Sequence, residues 1–204
     1  MTSFPLRPSR AAMSRRTRTA LSFALAGTIL AVVATAVLLA VFPRSDALLP
    51  IGAQTPDFTL RTATGATVNL QSLRGKAVLL EFCATWSSPC AVEAPALNRL
   101  AARLSGPAVA FVSVNGDSED ATSVDAFRRN FHVRIPLALD PGPTTVSFPA
   151  HGSRGPVTGR YRVTRFPTFY VLDPRGRITW RSAGEQPDAL LVRELRRAAG
   201  HPLP

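Results

Sequence analysis

The chain has 204 residues, of which 46% are apolar and 18% charged, a balance of globular rather than disordered sequences. Its formal charge is +11, but Arg7, Arg10, Arg15, Arg16 and Arg18 supply five of those charges before the first long apolar run, with no acid among them. From Arg44 onward, 19 basic residues face 13 acidic ones, and the excess is spread along the chain. No block of like charge with interleaved aromatics occurs there, which argues against nucleic-acid binding and suits a mildly basic surface near anionic headgroups.

Residues 1–19 read as a basic cytoplasmic tail. Residues 20–42 (ALSFALAGTILAVVATAVLLAVF) carry no charge, and as a helix they would span about 35 Å, enough to cross a bilayer. The arginines ahead of this run favour retention inside, which predicts an extracytoplasmic C-terminal domain. A cleaved signal peptide has an apolar core of about 7–15 residues. This run is longer and no convincing small-x-small site precedes Pro43, so an uncleaved signal anchor in the cell membrane is the expectation.

A short Pro-containing linker, 43–54, leads to a domain over 55–200. Strands are predicted at 58–60 and 67–70 about the Thr64-Gly65 turn. The dense apolar run 76–83 (KAVLLEFC) predicts a central strand buried on both faces. A helix follows over 87–104, with Ala94, Leu97, Leu100, Ala101 and Leu104 recurring every three or four residues. A strand is expected at 109–114 and a helix at 120–131, with Val124, Phe127 and Phe131 on one face. The Pro-, Gly- and Ser-rich stretch 140–160 reads as a long loop. A hairpin over 168–172 and 177–180 turns at Asp173–Gly176, and a last helix covers 187–199. This order predicts an α/β fold with a mixed central sheet flanked by helices, preceded by one transmembrane helix.

The two cysteines, Cys83 and Cys90, are too few for a disulfide scaffold. Their separation matches no common zinc spacing, and no histidine lies near them in sequence, so no metal and no cofactor is predicted. They are either a redox site or incidental.

Several ordered segments resemble the thioredoxin superfamily, in particular its membrane-anchored TlpA/ResA-like branch: TPDFTL (55–60), SLRGK (72–76), FCATWSSPC (82–90), E-x-P (93–95) and FPTF (166–169). The resemblance covers about 55–199 and implies a thioredoxin-like fold with thiol–disulfide oxidoreductase activity. It aligns the family's W-C-x-x-C with Trp86, Ser87, Ser88, Pro89 and Cys90, so that serine stands where the attacking cysteine is expected. A serine hydroxyl has too high a pKa for thiol–disulfide exchange.

Two features bear on what replaces that cysteine. Alternation along the strand puts Glu81 and Cys83 on one face, and the resemblance implies that this face lies behind the helix bearing Cys90. Cys83 and Cys90 then form a relocated redox pair if their Cα atoms come within about 7 Å. Otherwise Cys83 is a small buried hydrophobe. Glu81 and Glu93 are candidate proton acceptors for Cys90, or else ordinary structural acids. The resemblance further implies a cis Pro167 after Phe166 packed on the motif, an exposed Trp86 beside it, and a substrate-binding surface of Trp86, Ser87, Pro89, Phe166 and Pro167.

The implied partners are extracytoplasmic cysteine-containing proteins, such as apocytochromes c or copper-handling proteins, and a membrane electron donor. Two alternatives stay open. One is a non-catalytic binding or assembly module; the other is a one-cysteine peroxidase of the peroxiredoxin kind using Cys90, weakened by the absence of that motif's proline at position 83 and by Pro167 standing where its arginine is expected. A copper-carrier role needs a third ligand, for which His132 and His151 are the sequence candidates.

Overall fold

The computed structural model describes residues 28–33, 48–117, 120–141 and 155–200. The chain divides into two compact units, Met1–Ser45 and Asp46–Pro204. In the first, residues 28–33 are helical. The rest of the predicted 20–42 span lies outside the described residues, and among those described no helix is long and apolar enough to cross a membrane.

In the second unit, β1 (Thr59–Arg61) and β2 (Thr67–Asn69) form an antiparallel hairpin. A five-stranded sheet contains β3 (Ala77–Cys83), β4 (Val109–Asn115), β5 (Leu137–Leu139), β6 (Thr168–Leu172) and β7 (Ile178–Ala183) in the order β5-β4-β3-β6-β7. Strands β3, β4 and β5 run parallel, and β6 and β7 are antiparallel to their neighbours. Every residue of the central β3 is buried, as its unbroken apolar run requires of a strand covered on both faces.

The pleat sorts β3 between two cores. Ala77, Leu79 and Cys83 face helix α1 (Ser88–Leu104), with Leu97 and Leu100, and helix α4 (Asp188–Ala199), with Leu191 and Leu195. Helix α2 (Ala121–Asn130) adds Val124 and Phe127 to this core. Val78, Leu80 and Phe82 face the opposite side, where Tyr161, Tyr170, Phe58 and Val157 of the short helix α3 (Pro156–Arg160) pack.

The mixed sheet flanked by helices agrees with the expectation from sequence, with element ends shifted by a residue or two and β7 extended to Ala183. Two elements differ. Strand β5 is additional; at three residues it is too short to show a period. The predicted 140–160 loop ends in α3, whose first-turn N–H groups are accepted by a distant side chain, Asp140. Residues 142–154 lie outside the described residues.

Candidate active site

The site forms where β3 ends and α1 begins. After Cys83 the chain makes a tight turn in which the Ser87 N–H donates to the Ala84 carbonyl at 3.1 Å. Ser87 is the N-cap of α1 and is buried, and its hydroxyl makes no capping bond. Pro89 lies within the first two helical positions, where a missing N–H costs nothing. Cys90 follows in the first turn, where the helix dipole favours a thiolate.

Cys83 and Cys90 form a disulfide, with Cα atoms 5.9 Å apart. The separation meets the condition of about 7 Å set for bringing the two cysteines together. Both residues are deeply buried, Cys83 at 4% and Cys90 at 1% exposure, so the bridge lies beneath the surface. Gly116 ties down the end of β3, its N–H donating to the Cys83 carbonyl at 2.8 Å.

Two buried carboxylates share this region. Glu81 lies on the same strand as Cys83 and opposite Ser113 of β4 in the parallel register. Burial raises its pKa to about 7, with a hydrogen bond from the Ser113 side chain partly opposing the shift. Glu93, one helical turn beyond Cys90, is raised to about 8. Burial is again the main cause, opposed by a backbone hydrogen bond from Gln186 and reinforced by the negative charges of Glu81, Glu185 and Asp188. The Gln186 N–H donates to Glu93 Oε1 at 3.3 Å. Glu93 Oε2 is buried without a hydrogen-bond partner. Both acids thus titrate near neutral pH beside the two cysteines.

On the outer side, Trp86 is half exposed and meets Phe166 edge-on, with ring centroids 6.0 Å apart. Its indole N–H donates to Asp117. The Phe166–Pro167 peptide bond is cis, as the resemblance implied. Gly116 is buried behind these rings: a Cβ there would come within 2.9 Å of the Phe166 ring and 2.6 Å of Thr158 Oγ1. Sequence reasoning did not find Asp117, Gln186 or Ser113. Of these only Ser113 leaves a trace, as a polar residue inside the apolar run 109–114.

The ligand atoms of Glu81, Cys83 and Cys90 lie within 4.8 Å of one another. His132 is not part of this group; it follows α2 and lines a surface pocket with Arg128, Arg129 and Arg134. His151 lies outside the described residues.

Comparison with known proteins agrees with this geometry. Residues 51–181 match the AhpC/TSA family. The chain belongs to that family. The thioredoxin-like protein YneN of Bacillus subtilis is 35% identical over 127 residues, covering 61% of this chain and 66% of YneN. The thiol-disulfide oxidoreductase ResA of Bacillus cereus is 28% identical over 138 residues, covering 68% of this chain and 72% of ResA. A crystal structure from Chlorobium tepidum, described as a thiol:disulfide interchange protein DsbE, superposes with a TM-score of 0.64 at 27% identity, covering 74% of this chain and 99% of that one. The fold is accordingly the thioredoxin-like α/β fold of ResA/YneN-like relatives, several of which are named as redox enzymes.

Proposed function

We propose that this chain is a membrane-anchored, extracytoplasmic thiol–disulfide oxidoreductase with a relocated cysteine pair, in which Cys90 takes the attacking role that the family gives to a cysteine at position 87 and Cys83 resolves the mixed disulfide. The Cys83–Cys90 disulfide carries this reading. In the reduced chain, the Cys90 thiolate attacks a disulfide of a partner protein and forms a mixed disulfide, releasing the first partner thiolate. The Cys83 thiolate then attacks the Cys90 sulfur and releases the second. The chain ends as the Cys83–Cys90 disulfide, two electrons pass to the partner, and the two thiol protons end on the partner's sulfurs. Glu81 and Glu93, with pKa values raised to about 7 and 8, are placed to accept and return those protons. A membrane electron donor supplies two electrons for the next cycle.

The exposed Trp86 and half-buried Pro89 and Phe166 serve to hold the partner as an extended segment, with Ser87 and Pro167 buried beneath them, and the uncharged 20–42 run is the anchor. Partners of the reading are extracytoplasmic proteins bearing cysteine pairs, as in cytochrome c or copper-protein maturation.

Turnover of a disulfide-bonded protein by the pre-reduced chain tests this. Cys90→Ala should abolish reduction, and Cys83→Ala should accumulate a mixed disulfide. Activity of both variants equal to that of the unaltered chain would sink the redox assignment. Deep burial of both sulfurs favours one second reading, a binding module that engages partners through Trp86 and Phe166 without exchange. It predicts partner binding with no mixed disulfide in either variant.

A further inference from the structure

We propose that the reduced Cys83 and Cys90 sulfurs, together with the Glu81 carboxylate, form a binding site for a thiophilic divalent cation of the zinc class. The inference rests on the redox reading in taking both sulfurs as exchangeable between thiol and disulfide.

The three ligand atoms come from two elements and converge within 4.8 Å. Glu81 and Cys83 project from one face of β3, and Cys90 meets them from the first turn of α1, with 5.9 Å between the cysteine Cα atoms. None of the three residues is more than 4% exposed, so water competes weakly for the donors. The linear spacing gives no hint of this: position 81 supplies the third ligand only because strand alternation places it beside 83.

The donor set selects the ion. Two sulfurs and one carboxylate oxygen disfavour magnesium and calcium, which take oxygen ligands. Zinc accepts both donor types, and three protein ligands leave its fourth position open, the arrangement of exchangeable rather than purely structural sites. Two thiolates beside a buried carboxylate would be costly without a counter-charge. A divalent cation removes most of that cost.

Binding involves no electron transfer. Two sulfur–zinc bonds and one oxygen–zinc bond form, and the two thiol protons and the proton held on Glu81 leave to solvent. The disulfide has no thiolate to offer, so metal and disulfide exclude one another. The ion therefore protects the reduced pair from oxidation, and oxidation expels the ion.

The test uses the full chain in detergent, reduced with a phosphine that is then removed, and titrated with zinc against a chromogenic chelator. Cobalt(II) serves as a spectroscopic probe through its near-ultraviolet thiolate-to-metal band. The reduced chain should bind one equivalent, and the oxidised chain about 100-fold more weakly or not at all. Glu81→Gln should weaken zinc about tenfold or more while keeping the cobalt–thiolate band. Equal affinity of the reduced and oxidised chains, or full affinity in Glu81→Gln, overturns the site. Comparing the two redox forms needs no substitution, so it stands even where a cysteine variant fails to fold. Zinc binding by a chain that never forms the disulfide would sink the redox reading alone. A reversible disulfide in a chain that ignores zinc would sink the metal site alone.

Discussion

Asp140 and Thr158 are joined twice: Asp140 Oδ2 accepts the Thr158 backbone N–H at 2.6 Å and the Thr158 hydroxyl at 2.7 Å. The other carboxylate oxygen accepts the Val157 N–H at 3.1 Å. Both residues are buried. Together they fix the end of β5 to the first turn of α3, and Thr158 in turn backs Gly116 behind the Phe166 ring. The outer wall of the site is therefore held by a residue 17 or 18 positions from the groups it binds.

Asp140→Ala should cost about 2–4 kcal/mol, because three buried donors lose a charged acceptor. Urea unfolding measures it. Asp140→Asn keeps one carbonyl acceptor and should cost less. Gly155→Ala tests the same joint from the other side, since a Cβ there would lie 2.1 Å from Asp140 Cγ. A cost below about 0.5 kcal/mol for Asp140→Ala would mean the joint does not hold the wall.

The raised acids make stability depend on pH in a definite direction. Burial lifts Glu81 to about 7 and Glu93 to about 8, above the usual glutamate value near 4.5 in an unfolded chain. Between those limits the folded chain holds protons that the unfolded chain has lost, so stability falls as pH rises. The contribution is complete below about pH 4.5 and is lost on passing through pH 7 to 8. Glu81→Gln and Glu93→Gln should each flatten that slope and raise stability at pH 8 by on the order of 1–3 kcal/mol. Denaturant midpoints at pH 5, 6.5 and 8 read the effect, and an unchanged slope in both variants contradicts it.

The sequence shows the sheet better than the site. The run 76–83 announces a central strand because nothing polar interrupts it except Glu81, and the 87–104 periodicity announces the helix that packs on it. Alternation alone puts Glu81 and Cys83 on one face. What stays hidden depends on distant partners: Asp117 meets Trp86 across 31 residues, and α3 starts where Asp140 caps it. The short β5 has too few residues for any period. The cysteine pair is intermediate, since pattern supplies the face but only the chain turn at Ala84–Ser87 supplies the approach.

Ser87→Cys offers a gain of function. It places a third sulfur at the N-cap of α1, where the motif resemblance would put the attacking cysteine. In the Cys83→Ala background, the 87–90 pair should reduce protein disulfides about tenfold faster than the 83–90 pair or more, because an N-cap thiol is better activated. Insulin reduction measures it. A double variant no faster than the unaltered chain would show that position 87 does not face substrate.

The disulfide should also matter for stability. Closing a loop across a seven-residue separation restricts the unfolded chain by about 2.5 kcal/mol in the chain-entropy account. Oxidised chain should outlast reduced chain in urea by about that amount, and Cys83→Ser should abolish the difference between the two conditions. A reduced chain as stable as the oxidised one would place the bridge outside the stability of the fold.

The most direct measurement is thiol trapping of the full chain after equilibration in graded glutathione buffers, read by intact mass. The account predicts one reversible two-electron transition between two trapped thiols and none, at a single midpoint potential, abolished by either Cys83→Ser or Cys90→Ser. Two trapped thiols at every ratio, or a bridge that no buffer reduces in the folded chain, would contradict it.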